Sequence, residues 1–148
     1  MRIETNRGPI VELHILGYQF PHLQTKPYDS NWLIIEGRIT HPRGSWRFRN
    51  PCLLTYEAAR LGEWLAGIAA GTETEPQMNF VEPNLSFEQT STGASKILRV
   101  GFALESRPPW LTYHEVMSID FPVAELHLAQ SAAEWNSELA QYPQRAAR

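Results

Sequence analysis

The chain has 148 residues, with 13 Lys and Arg against 16 Asp and Glu and a formal net charge of -3. That balance provides no basic face for a phosphate backbone, which argues against nucleic-acid binding as the main activity. Hydrophobic content of 43% and charged content of 20% exclude a disordered or fibrous chain, and the length fits a single domain over 1–148 that buries about 70% of its unfolded surface. The first residues contain no apolar run of the length a signal peptide needs, and no later stretch approaches a membrane span, so a cytoplasmic location is expected. A single cysteine, Cys52, excludes an internal disulfide and a Cys-rich metal site.

In chain order, Val11, Leu13 and Ile15 alternate with Glu12 and His14, the period of a half-buried strand. Trp32 to Ile39 is β-branched and aromatic with apolar residues on both faces, the pattern of a central strand. His41-Pro42-Arg43-Gly44 reads as a tight turn into Trp46 and Phe48, which makes Trp32–Arg49 a hairpin. Leu54, Ala58, Leu61, Leu65 and Ile68 then recur at steps of four and three, predicting a helix over about 56–70 with Thr55 as its N-cap, Glu57 at its positive end and Gly71 at C′.

Past a polar stretch, Met78-Asn79-Phe80-Val81 reads as a short strand. Leu85, Phe87 and Gln89, then Leu98, Val100, Phe102 and Leu104, form a second hairpin around the turn-rich Thr90–Ser95. Arg107-Pro108-Pro109-Trp110 cannot continue a ladder, because two prolines remove two donors. Met117, Ile119 and Phe121 predict a further strand that Pro122 stops. Leu128, Ala132, Trp135, Leu139 and Tyr142 predict a final helix over about 128–142, with a frayed tail after about residue 143. Hairpin order with few crossovers gives an α+β fold, mainly an antiparallel β-sheet or sandwich with two packed helices.

Catalytic groups are sparse. Cys52 precedes a predicted helix, where amides can stabilise a thiolate, but no His or basic residue adjoins it, and a buried thiol is the simpler reading. His14, His22, His41, His114 and His127 lie singly without zinc-type spacing. Asp29-Ser30-Asn31 opens like a calcium loop and then runs into Trp32-Leu33-Ile34-Ile35, so an Asx turn feeding a strand fits better. Glycine-rich phosphate loops and a nucleophile elbow are absent. Arg47 and Arg49 face away from Trp46 and Phe48, and Glu36 is a natural cross-strand partner. Tyr18, Phe20, Tyr28, Trp110 and Tyr113 fall in expected loops, where aromatics either anchor an interface or plug the end of a β core. No cofactor and no metal is implied.

The phrases Ile15-Leu16-Gly17-Tyr18-Gln19-Phe20-Pro21, Tyr28-Asp29-Ser30-Asn31-Trp32, Gly44-Ser45-Trp46, Pro51-Cys52-Leu53-Leu54-Thr55, Glu82-Pro83-Asn84-Leu85, Arg107-Pro108-Pro109-Trp110 and Ile119-Asp120-Phe121-Pro122 resemble the WapI-type bacterial immunity proteins. The resemblance implies an immunity protein that binds and neutralises a cognate contact-delivered toxin domain by stoichiometric protein binding, without catalysis. It carries no motif for contact residues. Against a basic toxin, acids in loops and on an outer helix face would form a complementary patch. Glu57, Glu63, Glu73, Glu75 and Glu82 are the candidates, with Trp110 and Tyr113 as aromatic anchors. The alternative is a small-molecule-binding β domain with Trp32, Trp46 and Trp110 around a pocket. A hydrolase built on Cys52 or a carboxylate is a third reading and requires a partner group within hydrogen-bond reach.

Overall fold

The computed structural model describes residues 1–146. The first four strands, β1 (Arg2–Glu4), β2 (Ile10–Tyr18), β3 (Trp32–Thr40) and β4 (Trp46–Leu54), pair in chain order as an antiparallel sheet. Helix α1 (Thr55–Ala70) follows, and β5 (Gln77–Met78), β6 (Leu85–Thr92), β7 (Ser95–Phe102) and β8 (Met117–Pro122) make a second antiparallel sheet, again in chain order. Helix α2 (Leu128–Leu139) completes the α+β fold. No helix among the described residues is long and apolar enough to cross a membrane.

Alternation decides which faces are covered. Val11, Leu13 and Ile15 of β2, Leu33 and Ile35 of β3, and Trp46 and Phe48 of β4 are buried together with Phe87, Val100, Phe102 and Ile119 of the second sheet. All belong to one hydrophobic cluster that also takes in Leu61 and Leu65 of α1 and Leu128 and Trp135 of α2. Aromatic contacts join the sheets, with the Phe102 ring 5.5 Å from Trp46 and 6.0 Å from Phe48 between centroids. Gly37 stands directly across from Phe48 in the ladder. A Cβ at Gly37 would lie 2.1 Å from the Phe48 ring, so only hydrogen leaves room for that ring to lie across the strand. The helices are tied to each other by the Trp135 indole N–H, which donates to the Ala58 carbonyl at 2.8 Å.

Several expected boundaries move for local reasons. β4 runs through Pro51 to Leu54, five residues past the expected hairpin end at Arg49. It tolerates the proline because it is an edge strand and its register shifts there, Leu33 facing Leu53 but Ile34 facing Pro51. Leu54 therefore ends a strand and occupies the N-cap position, while Thr55 is the first helical residue and donates its hydroxyl to Asn31 Oδ1 at 2.8 Å. Gly71 closes α1 with a φ of 74°, the left-handed conformation glycine adopts most readily. The expected strand at 78–81 contracts to Gln77–Met78. Strands β6 and β7 extend to a two-residue loop, Gly93-Ala94. Leu104, expected to continue β7, instead starts a 3-10 turn at a φ of 51°.

The C-terminal segment also departs from expectation. α2 ends at Leu139, and Tyr142 lies beyond it, packed edge-on against Tyr18 with centroids 5.5 Å apart. Of the tail expected to fray after about residue 143, residues 147 and 148 lie outside the described residues, and Pro143 and Arg145 make hydrogen bonds to the body of the domain. The Arg145 amide donates to Asn31 Oδ1 and its carbonyl accepts from Asn31 Nδ2, while its guanidinium lies 3.4 Å above the Tyr18 ring and donates to the carbonyls of Pro21 and Leu23. Asn31 is fully buried. Its carboxamide also donates to the Pro27 carbonyl, so one side chain joins the loop before β3, the start of α1 and the C-terminal segment.

Candidate functional site

The antiparallel ladders bring distant residues to one end of the molecule. Trp32 begins β3 beside the end of β4, and the Gln19 amide donates to the Trp32 carbonyl at 2.8 Å. In the second sheet Leu85 pairs with Phe102, so the residues before β6 meet those after β7, and the Ala103 amide donates to the Asn84 carbonyl at 2.9 Å. Both ends border an open cleft of about 440 Å³, lined by Gln19, Trp32, Asn50 and Pro51 from the first sheet and its loops and by Glu82, Asn84 and Glu105 from the second.

The lining holds two carboxylates and no cationic side chain. Glu105 is held by Asn84 Nδ2 at 3.0 Å and the Tyr113 hydroxyl at 3.1 Å. Its own backbone amide, with Asn84 second, keeps its carboxyl below the usual range, and the same carboxylate raises the Tyr113 phenol. The nearby Arg107 guanidinium spends its donors on the Leu104 and Leu111 carbonyls and lies 5.1 Å from the Tyr113 ring centroid. That clamp steadies the left-handed Leu104, and with it the backbone presenting Glu105. Glu82 makes no hydrogen bond or ion pair among the described residues. Its backbone is positioned one residue upstream, where the Val81 amide donates to the buried Glu57 carboxylate at 2.7 Å.

Residues 2–143 match the family model of the WapI-like immunity proteins. The chain belongs to the immunity protein WapI-like family. No curated protein and no solved structure matches it. The matched span covers both sheets, both helices and every residue lining the cleft. Arg145 lies just beyond the matched span.

The candidate residues read from the sequence do not gather in one place. Glu82 lines the cleft, and Tyr113 adjoins it through Glu105. Trp110 packs edge-on against Trp46, centroids 5.4 Å apart, and covers Gly44. Glu63 is exposed on α1. Glu73 caps its own turn by accepting the Thr74 and Glu75 amides, and the Glu75 backbone carbonyl accepts the Trp64 indole N–H. Glu57 requires a correction, because it does not sit on an outer helix face. It is 3% exposed and its two oxygens accept the amides of Leu54 and Val81, so it is an internal brace.

Other side chains resolve as plainly. Burial pushes the Cys52 thiol up to about 12, which keeps it protonated and unreactive at neutral pH. Among the described residues no group of three His, Cys, Asp or Glu side chains is placed to hold a metal ion. Glu36 does pair with Arg49, at 3.1 Å, and also with Arg38 at 3.3 Å. Trp46 is buried and its indole donates to the Ser106 carbonyl, so Trp32, Trp46 and Trp110 do not share one pocket. Sequence reasoning missed Gln19, Asn50, Asn84 and Glu105. Gln19 and Asn84 lie inside the phrases that carry the resemblance, whereas Glu105 followed an expected strand and had no local signal.

Proposed function

We propose that this WapI-like family member is a cytoplasmic immunity protein that neutralises a cognate toxin domain by stoichiometric binding, without catalysis or a cofactor. The family match over residues 2–143 carries the reading. The chemistry of the cleft supports it. A rigid core held by ladders and interlocking aromatics presents a concave, negatively charged surface, which suits occupation by a basic protein segment. The polar lining and open mouth of the cleft agree less well with a small apolar ligand, which favours an enclosed hydrophobic pocket.

The test is a calorimetric titration of the protein against the toxin domain encoded beside it, paired with expression of both in one cell. Saturable one-to-one binding and protection from the toxin are the expected results. Absence of binding together with absence of protection would overturn the assignment.

A further inference from the structure

We propose that the outward face of β3 and β4 is a docking surface for an acidic segment of the partner protein, with Arg38, Arg47 and Arg49 as its anchors. The inference deepens the immunity reading and rests on it for the identity of the partner, while the charge of the face is a property of this chain alone. Two observations carry it, a mismatch in the ladder and a set of unspent donors.

The mismatch lies in the register of the strands. Among the described residues, directly opposed Asp, Glu, Lys and Arg side chains are otherwise of opposite sign: Arg2 faces Glu12, Glu12 faces Arg38, Glu36 faces Arg49, Glu88 faces Arg99 and Arg99 faces Asp120. Arg38 and Arg47 alone set like against like, an arrangement that costs stability. Edge protection does not account for it. A charged residue on the edge strand β4 keeps other chains from pairing there, but a glutamate in place of Arg47 would serve equally and would attract Arg38. The sign of the charge is therefore not a demand of the fold, and a local rule broken without gain to folding marks a site that acts on something outside it.

The donors follow from the same geometry. Strand alternation turns Trp46 and Phe48 into the core and Arg47 and Arg49 outward, and Arg38 stands on the same side of β3. All three arginines are exposed. Arg38 and Arg49 share the single carboxylate of Glu36, through Nε at 3.3 Å and Nη2 at 3.1 Å. Arg47 makes no hydrogen bond or ion pair among the described residues. A guanidinium holds five N–H donors in one plane, so most of those on this face remain for an outside acceptor. A carboxylate takes two of them in parallel. Arg47 and Arg49 lie two residues apart on one strand, about 7 Å, which matches acids at alternate positions of an extended segment. Glu36, set among the arginines, repels a continuous run of phosphates, so separate carboxylates fit better than a nucleic-acid backbone.

Two measurements decide it. In the first, the toxin domain encoded beside the protein is titrated against the native chain, Arg47→Glu and Arg60→Glu, and the thermal unfolding of all three is recorded. Arg60 is exposed on α1, so its reversal makes the same change in net charge on a different element. Arg47→Glu should raise Tm by about 1–3 °C, an effect that added salt reduces. It should weaken toxin binding at least about fivefold, while Arg60→Glu weakens it less than about twofold. A Tm that stays level or falls removes the mismatch and overturns the docking face. If the native chain binds the toxin and Arg47→Glu binds no worse than Arg60→Glu, the docking face fails while the immunity reading stands. If the native chain does not bind, the immunity reading fails and the second measurement decides the face. There an oligo-glutamate peptide is titrated into the protein while the Nε–Hε resonances of Arg38, Arg47 and Arg49 are followed by NMR, with oligo-lysine of equal length and a short DNA duplex as comparisons. Saturable shifts with oligo-glutamate, lost in Arg47→Glu, and none with oligo-lysine are expected. Unmoved resonances, or tighter binding of the duplex than of the peptide, would overturn the docking face.

Discussion

Replacing Glu57 by alanine should destabilise the protein and loosen the cleft at the same time. The carboxylate is 3% exposed, accepting the Leu54 amide at 3.0 Å and the Val81 amide at 2.7 Å. Leu54 is the N-cap residue of α1 and offers no side-chain acceptor, so Glu57 reaches back to that amide in its stead. Its removal strands the buried Leu54 donor at a cost of ~1–3 kcal/mol. Val81 is 58% exposed, so its amide can turn to water and the loss there is nearer ~1 kcal/mol. The sum is about 3 kcal/mol, which for a chain of this size lowers Tm by roughly 9 °C. Glu57→Gln keeps one acceptor and points an NH₂ group at the other donor, so about 2 kcal/mol is expected. Urea denaturation gives the free energies, and hydrogen exchange reports the Leu54 and Val81 amides. A loss below ~1 kcal/mol for Glu57→Ala, or an unchanged Val81 exchange rate, would refute the bracing role on the scale of a normal buried hydrogen bond.

Other perturbations have defined outcomes. Gly37→Ala places a methyl 2.1 Å from the Phe48 ring and should cost ~1–3 kcal/mol by overpacking. Combining it with Phe48→Leu should cost less than the sum of the single changes, and strict additivity in the double-mutant cycle would contradict the contact. Arg145→Ala removes a ring contact and the guanidinium's bonds to Pro21 and Leu23. It should lower stability by ~1–2 kcal/mol and accelerate amide exchange in the loop before β3, while exchange within the second sheet stays unchanged. Acid should weaken the fold with a definite sign. Arg49 lowers the Glu36 carboxyl, Arg99 lowers that of Asp120, and its own backbone amide lowers that of Glu105. Their contribution is complete above the unfolded values near ~4 and disappears as pH falls through the lower folded ones. These groups sit at or near the surface, so each contributes modestly. Urea midpoints from about pH 6 to about pH 2.5 should therefore decline below about pH 4, and Glu36→Gln should flatten part of that decline.

Much of the secondary structure was legible because it depends on neighbours in the chain. The alternation in β2 and β7, the β-branched and aromatic run of β3, the turn at His41–Gly44 and the spacing of α1 and α2 each express a periodicity or backbone preference confined to a few residues. The family resemblance was legible too, through uncommon residues at particular places. Some of these now have a physical account, Asn31 joining three segments and Arg107 clamping the turn at Leu104. Where local and global demands diverge, the sequence misleads. The hairpin expected to end at Arg49 runs on through Pro51 as an edge strand, and Leu104 kept the strand period but turned away. The acidic residue at the start of α1 looked like solvated surface, yet Glu57 is buried because the segment before β6 folds over it. The cleft belongs entirely to this second class. Gln19, Trp32, Asn50, Glu82, Asn84 and Glu105 come from five separate stretches of chain. Composition and periodicity set which segments pair, but only tertiary closure of two ladders brings their ends together, because a carboxylate's surroundings depend on groups far away along the chain.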